Sequence, residues 1–344
     1  MPDTSPHSIE DVLKLGQECL AKVPVTVLGS GASLAYGVGG MGELQDHLLR
    51  SVVPGAGETE VWERFKIALA DTHDLEKSLH LVQLPEGLER RVVIATREMV
   101  IAGDRSLLAR LVKGELQLPH SRLFQHLLTS THARVTVVTT NYDRVAEYAA
   151  DAAGKNHSTG FAGAYWRTFE STRLTAPVPH GVRQVDILKV HGSLDWFMDE
   201  GDNSMSLPDD LMPPERHRPL MVTPGNGKYL ATHLEPFRSI IACSDSAFAE
   251  ARSIFCVGYG FRDMHIQPKL TKRAVTDRVP VVILARTLTP EARQFLKQCK
   301  HAAVLGLEQS GVGSKAYTTS APDGFQIDRP IWQFDEFLRA TIGD

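Results

Sequence analysis

The stretch VPVTVLGSGAS, residues 23–33, joins a short β-branched run to a glycine-rich turn. Val23 to Leu28 has no regular polar face and reads as a buried strand, as found inside parallel sheets covered on both sides. Gly29, Ser30, Gly31, Ala32 and Ser33 follow at once. Glycines directly after a first strand let backbone approach a pyrophosphate and turn amides toward it. The spacing is not G-x-G-x-x-G, because Leu34 stands where the third glycine would be, and there is no G-x-x-x-x-G-K-[ST] loop. Taken alone, the turn fits a tight strand-to-helix connection as well as it fits a ligand.

Three further strand ends carry polar or glycine-rich clusters. Val135 to Thr139 is a strand that runs into Thr140, Asn141, Tyr142 and Asp143. Asn141 offers an uncharged amide that orients water or hydroxyls, whereas Asp143 also suits a cap for the helix expected at 144–153. Val185 to Val190 is a strand ending in His191, Gly192, Ser193 and Leu194. His191 ends a strand and precedes a glycine, and histidine accepts a proton near neutral pH. A core-edge histidine bonded to a carbonyl has the same local sequence. Ser253 to Val257 is a strand that continues as Gly258-Tyr259-Gly260-Phe261-Arg262-Asp263-Met264-His265-Ile266. Asp263 suits a ribose contact or a turn, and His265 a structural role. A further strand, 279–284, precedes a helix opened by Thr289-Pro290-Glu291, with Thr at N-cap and Pro at N1. Strands alternating with helices specify an α/β, Rossmann-like, doubly wound parallel sheet. Such sheets bind ligands outside the C-terminal ends of their strands.

Residues 54–132 show helical periodicity and no convincing strand, so a helical insertion is expected there. The expected organisation is a Rossmann domain over 1–53 and 133–300, the insertion over 54–132, and a C-terminal extension over 301–344 with a closing helix near 333–340. Residues 154–183 read as loop, and 199–218 as a polar, proline-bearing surface loop. A short strand is expected at 220–223, ending at Pro224-Gly225, followed by a helix over 236–250.

Apolar residues make up 42 % of the 344, enough for a substantial core. Lys plus Arg number 37 against 41 for Asp plus Glu, a formal charge of −4, which gives no bulk attraction to nucleic acid or to an anionic membrane. Cys19, Cys243, Cys256 and Cys299 form no C-x-x-C pair and fit a reducing compartment. The segment MPDTSPHSIEDVLKLG lacks the regions of a signal peptide, and no apolar run reaches membrane-helix length. A cytoplasmic protein is the expectation.

In this order, the four clusters resemble the sirtuin superfamily, and most closely its bacterial sirtuin-like NADase branch, found in anti-phage defence. GSGAS resembles the GAG-type phosphate loop, TTNYD the T-x-N-x-D segment, and Lys189 to Ser193 the catalytic-histidine motif. Gly258 to Phe261 with Asp263, His265 and Ile266 resembles the glycine-bearing strand end of that branch. Asp74-Leu75-Glu76 falls where the branch often carries a D-L-E helix start. The resemblance covers roughly residues 23–285.

It implies NAD+ as the substrate, cleaved to nicotinamide and ADP-ribose. Gly29, Ser30, Gly31, Ala32 and Ser33 would hold the diphosphate, Asn141 would position water, and His191 would take up a proton. Asp143 would support the nicotinamide-ribose side, Thr140 would be a further NAD contact, and Ser193 would contact a ribose or phosphate. Gly258, Tyr259 and Asp263 would face the adenosine half. Deacetylating sirtuins carry a zinc module with paired C-x-x-C ligands. No such spacing occurs here, so no metal is expected and acyl-lysine chemistry is disfavoured. The resemblance also implies a homo-oligomer and association with a HerA-type ATPase translocase. The competing readings are an NAD-dependent dehydrogenase, a deacylase, and a subunit that senses NAD or ADP-ribose without turning it over.

Overall fold

The computed structural model describes residues 8–129, 131–208, 217–223 and 234–343. Pro224 and Gly225, and residues 209–216 of the expected surface loop, lie outside them. The strands in chain order are β1 (Val25–Leu28), β2 (Arg134–Thr139), β3 (Asn156–Ser158), β4 (Phe161–Ala162), β5 (Arg167–Phe169), β6 (Gln184–Lys189) and β7 (Gly192–Met198). They continue with β8 (Ser204–Ser206), β9 (Arg218–Met221), β10 (Ile254–Val257), β11 (Val281–Leu284), β12 (Val304–Ser310), β13 (Gly313–Thr318) and β14 (Phe325–Ile327).

Nine strands form the main sheet in the order β14-β13-β12-β11-β10-β1-β2-β6-β3. Every pairing from β12 to β3 is parallel, and the β12-β13-β14 edge is antiparallel. The fold is therefore mixed α/β with a largely parallel, Rossmann-like sheet. Alternate residues feed two cores. Val137, Val185, Ile187, Phe255, Val282 and Leu305 meet helices on one face, including Ile9–Ala21, Pro119–Leu127 and Phe334–Ile342. Val25, Val27, Val138, Leu188, Cys256 and Ile283 meet Phe237–Glu250 and Pro290–Gln298 on the other. Burial on both faces explains why these strands read as continuous apolar runs.

Helices alone fill the chain from Met41 to Leu127: Met41–Ser51, Thr59–Thr72, Leu75–Leu81, Glu86–Val112 and Pro119–Leu127. Most of this layer is built round a core of its own, centred on Leu48, Trp62, Phe65, Leu88 and Val92. It is pinned to the rest of the fold by polar anchors as well as by packing. Arg97 Nε donates to the Leu194 carbonyl at 2.9 Å. Asp104 accepts from the Arg144 amide at 2.8 Å and from the Tyr148 hydroxyl at 2.6 Å.

Two stretches expected as loop contain strands. The 154–183 and 199–218 regions contribute β3, β4, β5 and β8, and a second, five-stranded sheet runs β4-β5-β8-β7-β9. These strands are two or three residues long, too short for alternation to register. Ser204, Met205 and Ser206 of β8 are buried, so that part of the expected surface loop lies in the interior. Beyond residue 300 the chain extends the main sheet through β12, β13 and β14 before the closing helix. No helix among the described residues is long and apolar enough to cross a membrane.

Candidate active site

Five parallel strands end level with one another. Leu28 of β1 pairs with Thr139 of β2 on one side and with Val257 of β10 on the other. Thr139 pairs with Lys189 of β6, and Val257 with Leu284 of β11. The residues just past this row form the floor of a cleft of 570 Å³ lined by the ends of all five strands. The chain goes from β1 to one side first and reaches the other side only at β10, so the cleft lies at a topological switch point.

All of the sequence-derived candidates except Ala32 and Ser193 line this cleft. Ala32 is buried beneath Gly258, and Ser193 is buried in β7, with its hydroxyl 3.4 Å from the Tyr142 carbonyl. His191 lies in the turn between β6 and β7, and Gly192 at φ +88° redirects the chain there, so Ser193 enters β7 away from the cleft.

Asn141 is fixed by two donations from Nδ2, to the Gly29 carbonyl at 3.0 Å and to Ser33 Oγ at 3.1 Å. A carbonyl only accepts, so the Gly29 contact settles which end of the amide is nitrogen and leaves Oδ1 as the atom that accepts from a ligand. Its own amide is held by Thr139 Oγ1 at 3.0 Å.

His191 Nε2 lies 2.7 Å from Asp263 Oδ2, but not along a hydrogen-bonding direction, so the two groups are in close approach without a hydrogen bond. Asp263 Oδ1 accepts from the amides of His265 at 2.9 Å and Ile266 at 3.1 Å, which fixes the carboxylate. Asp263, expected on the adenosine side, therefore stands against His191, because this turn aims its second oxygen across the cleft. The His265 ring meets the His191 ring edge-on at 6.3 Å.

Asp143 caps the next helix through the Val145 amide at 3.1 Å, and it also lines the cleft. Burial pushes its carboxyl from 3.8 up to about 6, with Asp104 adding to the rise and Lys189 opposing it. Lys189 is fully buried beneath the loop, donating to the Asp143 carbonyl and to Glu147 Oε1, the latter at 2.9 Å. Tyr259 is buried with its hydroxyl unpartnered among the described residues, and burial together with Asp263 holds it neutral far into the alkaline range.

The glycines of the first and fourth clusters serve each other. A Cβ on Gly31 would come within 2.7 Å of Gly258 Cα, and one on Gly258, at φ +60°, would collide with the Gly31–Ala32 backbone. The amides of Gly29, Gly31, Ala32 and Ser33 already donate to the carbonyls of Val257, Gly258, Gly29 and Ser30. The expectation that this loop offers its amides to a pyrophosphate is thus not met for these four. A second glycine cluster supplies the alternative. Gly39, Gly40, Met41 and Gly42 line the cleft where the helix Met41–Ser51 begins, bringing its unbonded first-turn amides and positive dipole end to the wall. These glycines follow GSGAS closely in the sequence, at positions 39, 40 and 42. Sequence reasoning missed Arg262, Arg286 and Thr289 on the opposite wall. Their signal was available, since all three follow the ends of β10 and β11.

A family model described as a SIR2-like domain matches residues 135–302, taking in Asn141, His191 and Gly258 to Asp263 and leaving Gly29 to Ser33 outside. No curated protein matches the chain. Among solved structures, Sir2Tm bound to a propionylated peptide is similar at 14 % identity, over 81 % of this chain and 88 % of that one, with a TM-score of 0.43. A structure reported on the mechanism and regulation of Sir2 enzymes is similar at 15 % identity, over 83 % and 90 % of the two chains, with a TM-score of 0.42. A Sir2 homologue in complex with NAD is similar at 14 % identity, over 83 % and 86 %, with a TM-score of 0.42. Residues 135–302, from β2 past β11, are thus the part of the chain similar to a SIR2-like domain.

Proposed function

We propose that the chain binds NAD+ in the strand-end cleft and hydrolyses its nicotinamide–ribose bond, releasing nicotinamide and ADP-ribose. The observation that carries this reading is the placement of Asn141 and His191. Each stands two residues past the level end of neighbouring parallel strands, on the wall of one cleft. The 570 Å³ volume falls within the roughly 300–1,000 Å³ of small-molecule sites.

The nicotinamide of NAD+ is cationic before the bond breaks and neutral afterwards, so its departure needs no proton from the protein. The ribose passes through an oxocarbenium-like state, and the attacking water must give up a proton. Asn141 Oδ1 accepts from that water or from a ribose hydroxyl without adding charge. His191 takes the proton, and the Asp263 carboxylate beside it stabilises the imidazolium that results. The helix start at Gly40 and Met41 faces the diphosphate. The role in depleting NAD+ during anti-phage defence, the oligomer and the HerA-type partner are proposed on the motif resemblance, which supports hydrolysis over deacylation because the zinc-module cysteines are missing.

The test is nicotinamide release from NAD+ by purified wild type, Asn141→Ala and His191→Ala, alone and with a HerA-type partner. Release by wild type and a loss of about a hundredfold or more in each variant is the expected result. Equal release by all three would refute the site assignment. Acyl-lysine-dependent release in place of simple hydrolysis would turn the reading to a deacylase.

A further inference from the structure

The level strand ends also fix what lies at the other end of the cleft. From β6, which carries His191, to β11 there are four inter-strand steps across β2, β1 and β10. At about 4.8 Å per step this is roughly 19 Å, a span suited to an extended dinucleotide lying across the strand ends. With the reacting ribose at His191 and the diphosphate over the central strands, the second ribose falls at the end of β11. The residues there are Ala285, Arg286 and Thr287, and all three line the cleft.

None of these three residues carries the acidic group that selects an unphosphorylated ribose. In dinucleotide sites of doubly wound sheets an acidic side chain accepts from the 2′-hydroxyl, whereas a nearby arginine takes a 2′-phosphate instead. Here the residue two past the end of β11 is Arg286, at the same offset as Asn141 and His191 beyond their strands. Its neighbour Arg262 is balanced by Asp74 at 2.9 Å and Glu291 at 3.2 Å. The Arg293 guanidinium is held by Glu308 at 2.7 Å. Arg286 is exposed and forms no ion pair among the described residues. The helix Pro290–Gln298 begins four residues later, with Thr289 as its N-cap and on the cleft wall, so its dipole adds positive potential at this end.

We propose that Arg286 binds the 2′-phosphate of a phosphorylated dinucleotide, so that the chain accepts NADP+ as well as NAD+. This rests on the cleft being a dinucleotide site with its reacting ribose at His191. A guanidinium matches a phosphate with paired, charge-assisted hydrogen bonds, and the loss of such a contact typically weakens binding about tenfold to a hundredfold.

Titration calorimetry of wild type, Arg286→Ala and Arg286→Lys with NAD+ and with NADP+ tests it, with ADP-ribose and 2′-phospho-ADP-ribose as non-reacting probes. The readout is the ratio of the two dissociation constants within each protein, which is insensitive to a general loss of folded material. The expected result is that wild type binds both dinucleotides and that R286A shifts the ratio against the phosphorylated one by about tenfold or more, with R286K between. An unchanged ratio in R286A overturns the role of Arg286. Binding of NAD+ but not NADP+ by wild type overturns the proposal and leaves the NAD+ reading standing. If wild type binds none of the four compounds, both fall together.

Discussion

Replacing Asp143 by Asn should make the stability of this protein less dependent on pH. The carboxyl is almost fully buried, and burial carries it from 3.8 to about 6. Because the folded-state value lies above the unfolded one, the folded chain holds this proton more tightly than the unfolded chain does. The ionised carboxylate is therefore a penalty, fully present above pH 6 and relieved as the pH falls through 6 toward 3.8. At about 1.36 kcal/mol per tenfold, the penalty is about 3 kcal/mol near pH 7 and about half that near pH 5. Asn keeps an oxygen to accept from the Val145 amide at 3.1 Å but carries no charge, so its own contribution is flat. Urea unfolding of wild type and D143N at pH 7 and pH 5 checks this, with the difference between the proteins as the readout. Wild type should gain roughly 1 kcal/mol or more on D143N between pH 7 and pH 5. A difference that stays constant over that range would refute the raised value and with it the account of the buried loop. A cationic ligand bound beside Asp143 should favour the ionised form, so nicotinamide-bearing dinucleotides should release protons on binding near pH 6.

Other substitutions separate the roles of neighbouring residues. Gly258→Ala should cost at least about 2 kcal/mol, because the position has φ +60° and its new methyl meets the Gly31–Ala32 backbone. Gly260→Ala, whose nearest neighbour would be Thr289 Cγ2 at 3.6 Å, should cost under about 1 kcal/mol, and thermal melts of both separate a steric cause from a general intolerance of the loop. Lys189→Met should lose about 3–5 kcal/mol by leaving Glu147 buried without its partner at 2.9 Å. The double variant K189M/E147Q should recover part of that loss, and strictly additive losses in denaturant titrations would show that the pair is not coupled.

The parallel sheet was legible because its strands are apolar runs closed by polar or glycine-rich ends. VPVTVL, VTVVT, VDILKV, SIFCV and VPVVIL each map onto a strand of the main sheet. Thr289 announced its helix because capping is a local interaction, with its Oγ1 accepting from the Ala292 amide at 3.1 Å. The second sheet was not legible, since β4, β5 and β8 are too short to show a period and the pairing of β5 with β8 joins Arg167 to the distant Ser206. The edge strands β12, β13 and β14 went unassigned for a related reason. Their pairing partners, rather than any strong run of their own, place them. Within the site, residue type and strand-end position were enough to single out Asn141 and His191. The meeting of Asp263 with His191, and the use of the GSGAS amides inside the protein, depend on how separate loops approach. Single-sequence patterns do not encode that approach.

The mutual fit of Gly29, Gly31 and Gly258 gives the cleft a floor and walls of different character. At its centre two loops occupy the room that side chains would need, so neither admits a larger residue unless the other withdraws, and β1 would have to part from β10. The floor thus holds the spacing of these strand ends fixed. The walls are lined by Gly39 to Met41, by Asp74 and Glu76, and by Arg262, Arg286 and Thr289. Changes in what the cleft accepts can accumulate there one residue at a time, while the distance between its two ends stays the same.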